Sequence, residues 1–172
     1  NYRRNLSAFF AWMVKKRIIT FNPCNEVESY KEIKKPIDHL EATEMEQVKE
    51  GCKTSKERAL IEVLRCTGVR VGELISIKIS DIDFNTGKII VYGQKSKKYR
   101  VVMLDKVALG YVKRYLNDIK AAYDSDKPLF ISRRSRAALT ECGIRCMLKR
   151  IAERGMNGRR IYPHLFRKSV AT

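Results

Sequence analysis

No stretch of this 172-residue chain stays apolar for long enough to cross a bilayer, and no basic, apolar and small-residue series marks a secretory leader. Histidine is scarce, with only His39 and His164. The five cysteines (Cys24, Cys52, Cys66, Cys142 and Cys146) are odd in number and never spaced Cys-x-x-Cys. Cys142 and Cys146 stand one helical turn apart, within reach of a shared metal or a partner thiol. With two histidines in the chain a zinc site has little support, and buried, reduced thiols are the better reading. That usage suits a reducing compartment. Carboxylates are also thinly spread: Glu73, Asp81 and Asp83 come nearest to a cluster, and Asp81-x-Asp83 reads as a turn. A metal-dependent nuclease needs several Asp or Glu to hold its cations, so no metal and no other cofactor is expected.

What the chain has in abundance is positive charge. Thirty-six Lys and Arg against 19 Asp and Glu leave +17 at pH 7, with a pI near 9.9. Such a surplus favours a polyanion, because each phosphate neutralised releases condensed counterions. A merely soluble basic protein, or one held on acidic lipid, is the competing reading. No basic amphipathic helix of the membrane-surface kind stands out, so nucleic acid is the preferred partner. The 44% hydrophobic and 32% charged composition suits a globular core. The length allows one full domain with a piece of another. Opening on Asn1 rather than methionine, the sequence reads as a cytoplasmic fragment.

Apolar periodicity supplies the elements. Leu6, Phe9, Phe10, Met13, Val14 and Ile18 share one helical face over residues 2–19, and Asn22-Pro23 stops that helix. One short helix cannot bury its own stripe, so residues 1–35 are read as the end of a preceding domain plus a charged linker, with Lys31, Lys34 and Lys35. A second unit, 36–172, opens at Thr43, where Thr43-x-x-Glu46 has the form of a capping box. Helices are predicted over 55–67 and from Arg70 to about Ile75. Two β-branched runs follow, Lys88–Tyr92 and Tyr99–Leu104, joined by a basic loop as a hairpin. Two further apolar stripes run through Val112 and Leu116 and through Ile144 and Leu148. Pro163 suits the first position of a last helix.

Three short segments carry chemistry. Thr67-Gly68-Val69-Arg70-Val71-Gly72-Glu73-Leu74 places Arg70 after a glycine turn at a helix start, where its fork and nearby N–H groups suit a phosphate. A purely structural pair with Glu73 is an equal alternative. Lys95-Ser96-Lys97-Lys98-Tyr99-Arg100 is a hairpin loop that can lie along DNA and bring an ammonium, as general acid, to a departing oxygen. A solvated basic turn is the alternative. In Pro163-His164-Leu165-Phe166-Arg167 the i,i+3 spacing puts His164 and Arg167 on one helical face, able to reach one phosphate. A helix start capped by a histidine is the alternative there. Together these segments supply two arginines, a lysine and a histidine without clustered carboxylates. That set fits metal-free phosphoryl transfer, with fixed cations on the non-bridging oxygens.

In this order the three segments resemble the tyrosine recombinase (phage-type integrase) family over nearly the whole chain. Thr67–Leu74 looks like its first arginine box, Ile90–Leu104 like its β-hairpin, and Pro163–Thr172 like its His-x-x-Arg box. Leu6–Phe10 through Asn22-Pro23 is similar to the last helix of the core-binding domain. The resemblance implies a mostly α-helical α+β catalytic domain with a small antiparallel hairpin or sheet. It further implies site-specific recombination through a 3′-phosphotyrosyl intermediate, as in integration or excision of a mobile element. Arg70 and Arg167 would clamp the scissile phosphate, His164 would assist, and Lys95 would protonate the leaving 5′-hydroxyl; Lys97 and Lys98 are alternative acids. Lys97, Lys98, Arg100, Arg133, Arg134 and Lys168 are expected to contact DNA. A homo-oligomer, tetrameric on DNA, is implied, in a bacterial or phage-encoded protein. The family's tyrosine is expected beyond Thr172, and no tyrosine present, Tyr162 included, stands in its place. Lys168 fills a position often histidine in the family, and Met103 one often proline. A type IB topoisomerase and a non-catalytic DNA-binding protein remain the rival readings.

Overall fold

The computed structural model describes residues 2–27, 38–94 and 96–171. The chain divides into two compact units, 1–36 and 37–172. The linker lysines Lys31, Lys34 and Lys35 lie outside the described residues.

The first unit holds α1 (Tyr2–Lys15) and a 3₁₀ turn, Pro23–Asn25. The helix stops about four residues short of the expected end because Arg17 takes a left-handed φ of 58°. The Ile18 amide then donates back to the Met13 carbonyl at 3.0 Å, satisfying a carbonyl that the helix end would leave open. Asn22 joins turn to helix: its Oδ1 accepts from the Cys24 amide and its Nδ2 donates to the Ser7 carbonyl, both at 3.0 Å. No described residue of α1 is buried, so the stripe through Leu6 and Phe9 is not covered within this unit.

The second unit runs α2 (Ala42–Glu50), α3 (Ser55–Thr67), α4 (Val71–Ser76), β1 (Lys88–Gly93), β2 (Lys98–Met103), α5 (Lys106–Asp118), α6 (Glu141–Gly155) and α7 (Pro163–Ala171). The architecture is mostly helical, with a two-stranded antiparallel sheet whose register pairs Ile90 with Val101 and Gly93 with Lys98. Helix α3 is the centre of the core. Ala59, Leu60, Ile61, Val63 and Leu64 are all fully buried, and the helix packs on α5 and α7. Thr54 caps its start by accepting from the Glu57 amide at 3.1 Å. Gly68, at φ 54°, ends it in the left-handed conformation that glycine adopts without cost. Near its start, α2 uses a different residue from the expected one. The reciprocal side chain is Glu44, which accepts from the Glu41 amide at 2.9 Å, whereas Glu46 turns outward to Lys49 at 2.6 Å. At the far end of α2 the chain crosses α6 on two glycines, where a Cβ on Gly155 would lie 2.2 Å from the Gln47 carbonyl oxygen.

Among the described residues three carboxylates are buried, and each is ion-paired. Glu57 holds the Arg154 fork at 2.8 and 3.2 Å. Glu62, wholly inaccessible, accepts from Arg58 Nε at 3.0 Å and Arg65 Nε at 2.6 Å. The third, Glu73, belongs to the site described next. Among the described residues no helix is long and apolar enough to cross a membrane.

Candidate active site

The turn between α3 and α4 and the start of α7 are far apart in sequence and meet in space. A Cβ on Gly68 would press on Val170 Cβ at 3.3 Å and lie 3.4 Å from Arg167 Cα, so the turn approaches α7 closely, at a φ of 54° that favours glycine. Arg167 Nη1 donates to the Gly68 carbonyl at 2.9 Å. That bond fixes one end of the Arg167 fork next to the segment that carries Arg70. Leu165 and Phe166 point into the core, fully buried, and this anchors α7 with His164 exposed and Arg167 half-buried on the other side. Ser169 Oγ accepts from the Leu40 amide at 2.7 Å and donates to the Leu165 carbonyl at 3.1 Å, tying the entering chain to the same helix.

Arg70, His164 and Arg167 line one cleft of about 980 Å³, walled by α4, α6 and the 158–163 segment. Four more cations line it: Arg145, Lys149, Arg159 and Arg160, against one carboxylate, Glu153. Arg159 is committed to structure, pairing with Glu44 and donating to Asp38 at 2.9 Å and to the His39 carbonyl at 2.8 Å. Arg145 pairs with Glu141 at 3.1 Å. Val69, Val71, Cys146, Ala152 and Ile161 give the cleft an apolar wall. Tyr162 also lines it, with its hydroxyl donating to Asp38 Oδ2 at 3.4 Å. Among the described residues no three histidine, cysteine or carboxylate side chains converge as a metal site would require.

Arg70 caps α4 and is held from behind. Its amide donates to Glu73 Oε2 at 2.8 Å and its Nη1 to Glu73 Oε1 at 3.1 Å. The structural pairing and the cleft-lining position therefore coexist at Arg70. Glu73 is 1% exposed, and it also receives both prongs of Arg100, at 2.9 and 2.7 Å. The Arg100 guanidinium, opposed by burial and joined by the Arg70 amide and guanidinium, holds the Glu73 carboxyl down at about 2. A carboxyl depressed on folding stabilises the fold fully above its unfolded value, near 4.5, and loses that contribution as pH falls towards 2. The depression corresponds to about 3 kcal/mol. The gap in unfolding free energy between wild type and Glu73→Gln is therefore expected to be widest above pH 5 and to narrow steadily towards pH 2.5 in urea titrations. A gap that does not change with pH would contradict it.

The remaining sequence candidates occupy distinct places. Lys95 lies outside the described residues. Lys97, at φ 51°, and Lys98 are exposed at the hairpin tip. Arg100 sits lower on β2, with its fork on Glu73 rather than at the tip. Arg133 and Arg134 are exposed in a tight turn closed by the Ser132 amide on the Ala137 carbonyl at 2.7 Å. Beside that turn Lys56 donates to the Ile131 carbonyl at 3.2 Å. Partial burial, reinforced by the charge of Arg133, lowers the proton affinity of its amine. Lys168 is half-buried on α7. Sequence reasoning missed Arg145, Lys149 and Arg160 as cleft residues; the i,i+4 spacing of Arg145 and Lys149 on α6 was the available signal.

Comparison with known proteins places this arrangement. The model of the phage integrase family matches residues 37–172. The tyrosine recombinase XerC of Bacillus subtilis is 30% identical over 177 residues, covering 97% of this chain and 58% of the relative. XerC of Anoxybacillus flavithermus is 32% identical over 179 residues, covering 98% and 59%. The chain thus spans a little under three-fifths of these relatives' length. Among solved structures, XerH recombinase in a pre-cleavage complex with its difH substrate is 26% identical with a TM-score of 0.67, covering 99% of this chain and 51% of that one. A Tn1549 transposon integrase bound to transposon end DNA shares the fold at a TM-score of 0.77 and 19% identity, covering 96% and 62%. With the family model matched across the whole second unit, this chain belongs to the phage integrase family of tyrosine recombinases.

Proposed function

We propose that this chain forms the phosphate-activating part of a site-specific DNA recombinase. The observation that carries the reading is the convergence of Arg70, His164 and Arg167 on one cleft from two segments almost a hundred residues apart. In the reaction, a tyrosine oxygen attacks the phosphorus and the bond to the 5′-oxygen breaks. Arg70 and Arg167 hold the two non-bridging oxygens, whose negative charge grows in the transition state. His164 donates a hydrogen bond to the same phosphate. Lys95, or its neighbours Lys97 and Lys98, delivers a proton to the departing 5′-oxygen. The phosphotyrosyl bond conserves the bond energy, so a 5′-hydroxyl of another strand reverses the step without a nucleotide cofactor. Tyr162 lines the cleft with its hydroxyl on Asp38 and does not stand in the place of the family's tyrosine. The chain acts on double-stranded DNA in the cytoplasm, as part of a homo-oligomer on its site, and integrates or excises a mobile element. The DNA complexes of XerH and of the Tn1549 integrase support DNA as the partner.

Exposed cations at the hairpin tip and in the 132–137 turn contact the backbone in this reading. Salt dependence of duplex binding tests that part. Lys97→Ala, Lys98→Ala and Arg133→Ala are each expected to reduce the slope of log K against log salt by about 1, with little change between DNA sequences. An unchanged slope for all three would remove them from the interface.

A further inference from the structure

Resting on the recombinase reading above, we infer that Arg100 is a positioning residue that holds Arg70 in the cleft through Glu73 and links it mechanically to the β-hairpin. Glu73 has four acceptor directions and all four are filled: Oε1 by Arg70 Nη1 and Arg100 Nη1, Oε2 by the Arg70 amide and Arg100 Nη2. The carboxylate therefore sits at one fixed point between the start of α4 and strand β2. Only one N–H of the Arg70 guanidinium is on Glu73 among the described contacts, and its side chain is 46% exposed. The rest of that fork faces outward for a ligand. Beside these contacts the loop end of the hairpin is closely packed. Gly93 lies under the Arg100 guanidinium, with a Cβ there placed 3.5 Å from Nη1, and a Cβ on Gly72 would lie 3.1 Å from Gln94 Oε1.

Charge makes the second arginine necessary. An inaccessible carboxylate against Arg70 alone forms a neutral pair, whose field at a phosphate is that of a weak dipole. Adding Arg100 on the far side returns the group to a net +1, with Arg70 the member lining the cleft. Arg100 thus lets one buried carboxylate orient Arg70 without cancelling it. Its position on β2 also means that a shift of that strand is felt at Glu73 and, through it, at Arg70.

The test uses this chain with Arg100→Ala and Arg100→Lys, each alone and combined with Arg70→Ala. In the DNA-free protein, NMR of the arginine side-chain N–H groups reads the order of Arg70 directly. Arg70 is expected to show slow guanidinium rotation in wild type, averaged signals in Arg100→Ala and partial recovery in Arg100→Lys, which restores charge without the fork. Peroxide-driven nicking of duplex DNA is expected to fall by about 10- to 100-fold in Arg100→Ala. In the Arg70→Ala background the same change should add nothing measurable, because Arg100 acts through Arg70. Unchanged Arg70 order in Arg100→Ala, or equal losses in both backgrounds, would overturn the inference. Absence of nicking in wild type would count against the recombinase reading instead, and the side-chain order would still decide the role of Arg100.

Discussion

Replacing Arg167 by alanine is expected to slow DNA strand cleavage by about 10²–10³-fold, the loss typical of one fixed donor on a developing oxyanion. The effect should fall on the chemical step. Arg167 is half-buried on a helix whose opposite face, Leu165 and Phe166, is locked in the core. One prong is already satisfied by the Gly68 carbonyl. Little reorganisation is therefore needed when charge develops, which is the condition under which such a donor matters most. Duplex affinity should change far less, because Arg167 is one cation in a surplus of 17. Arg167→Lys should recover little, since an ammonium cannot hold the Gly68 carbonyl and a phosphate oxygen in the same planar fork. Single-turnover nicking with peroxide as the nucleophile, at saturating protein, checks this; equal losses in rate and affinity would reduce Arg167 to a general backbone contact.

The second large effect concerns stability. Glu62→Ala is expected to cost about 3–5 kcal/mol, the range for breaking a buried ion pair by removing one partner. Glu62 is wholly inaccessible and receives both Arg58 and Arg65 on α3. Without it the two guanidiniums face each other across an emptied site. Arg65 keeps a second partner in Asp105 at 2.5 Å, and Arg58 keeps the face of Tyr111, 4.6 Å from the ring centroid. These contacts place the cost towards the lower end of the range. A fall in Tm of about 10 °C would accompany it. Urea unfolding of wild type and variant measures the difference directly, and a loss under 1 kcal/mol would show that the pair is solvent-screened.

Much of this organisation was legible in the sequence, for reasons that differ by element. Helix α3 was legible over 55–67 because its apolar run stops at Gly68, which ends the helix in the left-handed conformation. The hairpin was legible from β-branched alternation. The start of α2 was not, because two glutamates two residues apart, Glu44 and Glu46, offered competing capping patterns; in the fold Glu44 caps while Glu46 pairs with Lys49. Arg70, His164 and Arg167 could be named from their segments, yet their meeting depends on the Gly68–Val170 approach, a tertiary fact. Arg100 shows the limit most clearly. In a run of lysines it reads as one more cation for DNA, and only the fold brings Glu73 under it.

The central claim is that this cleft activates a phosphodiester by fixed cations. It is tested most directly by supplying the nucleophile from outside. Duplexes enriched by binding to the chain from a random pool would be incubated with the chain, hydrogen peroxide and a chelator. The account predicts strand nicking in the chelator that Arg70→Ala and Arg167→Ala each reduce by about 10²–10³-fold at matched DNA occupancy. No nicking on tightly bound duplexes, or nicking that both substitutions leave undiminished, would contradict it.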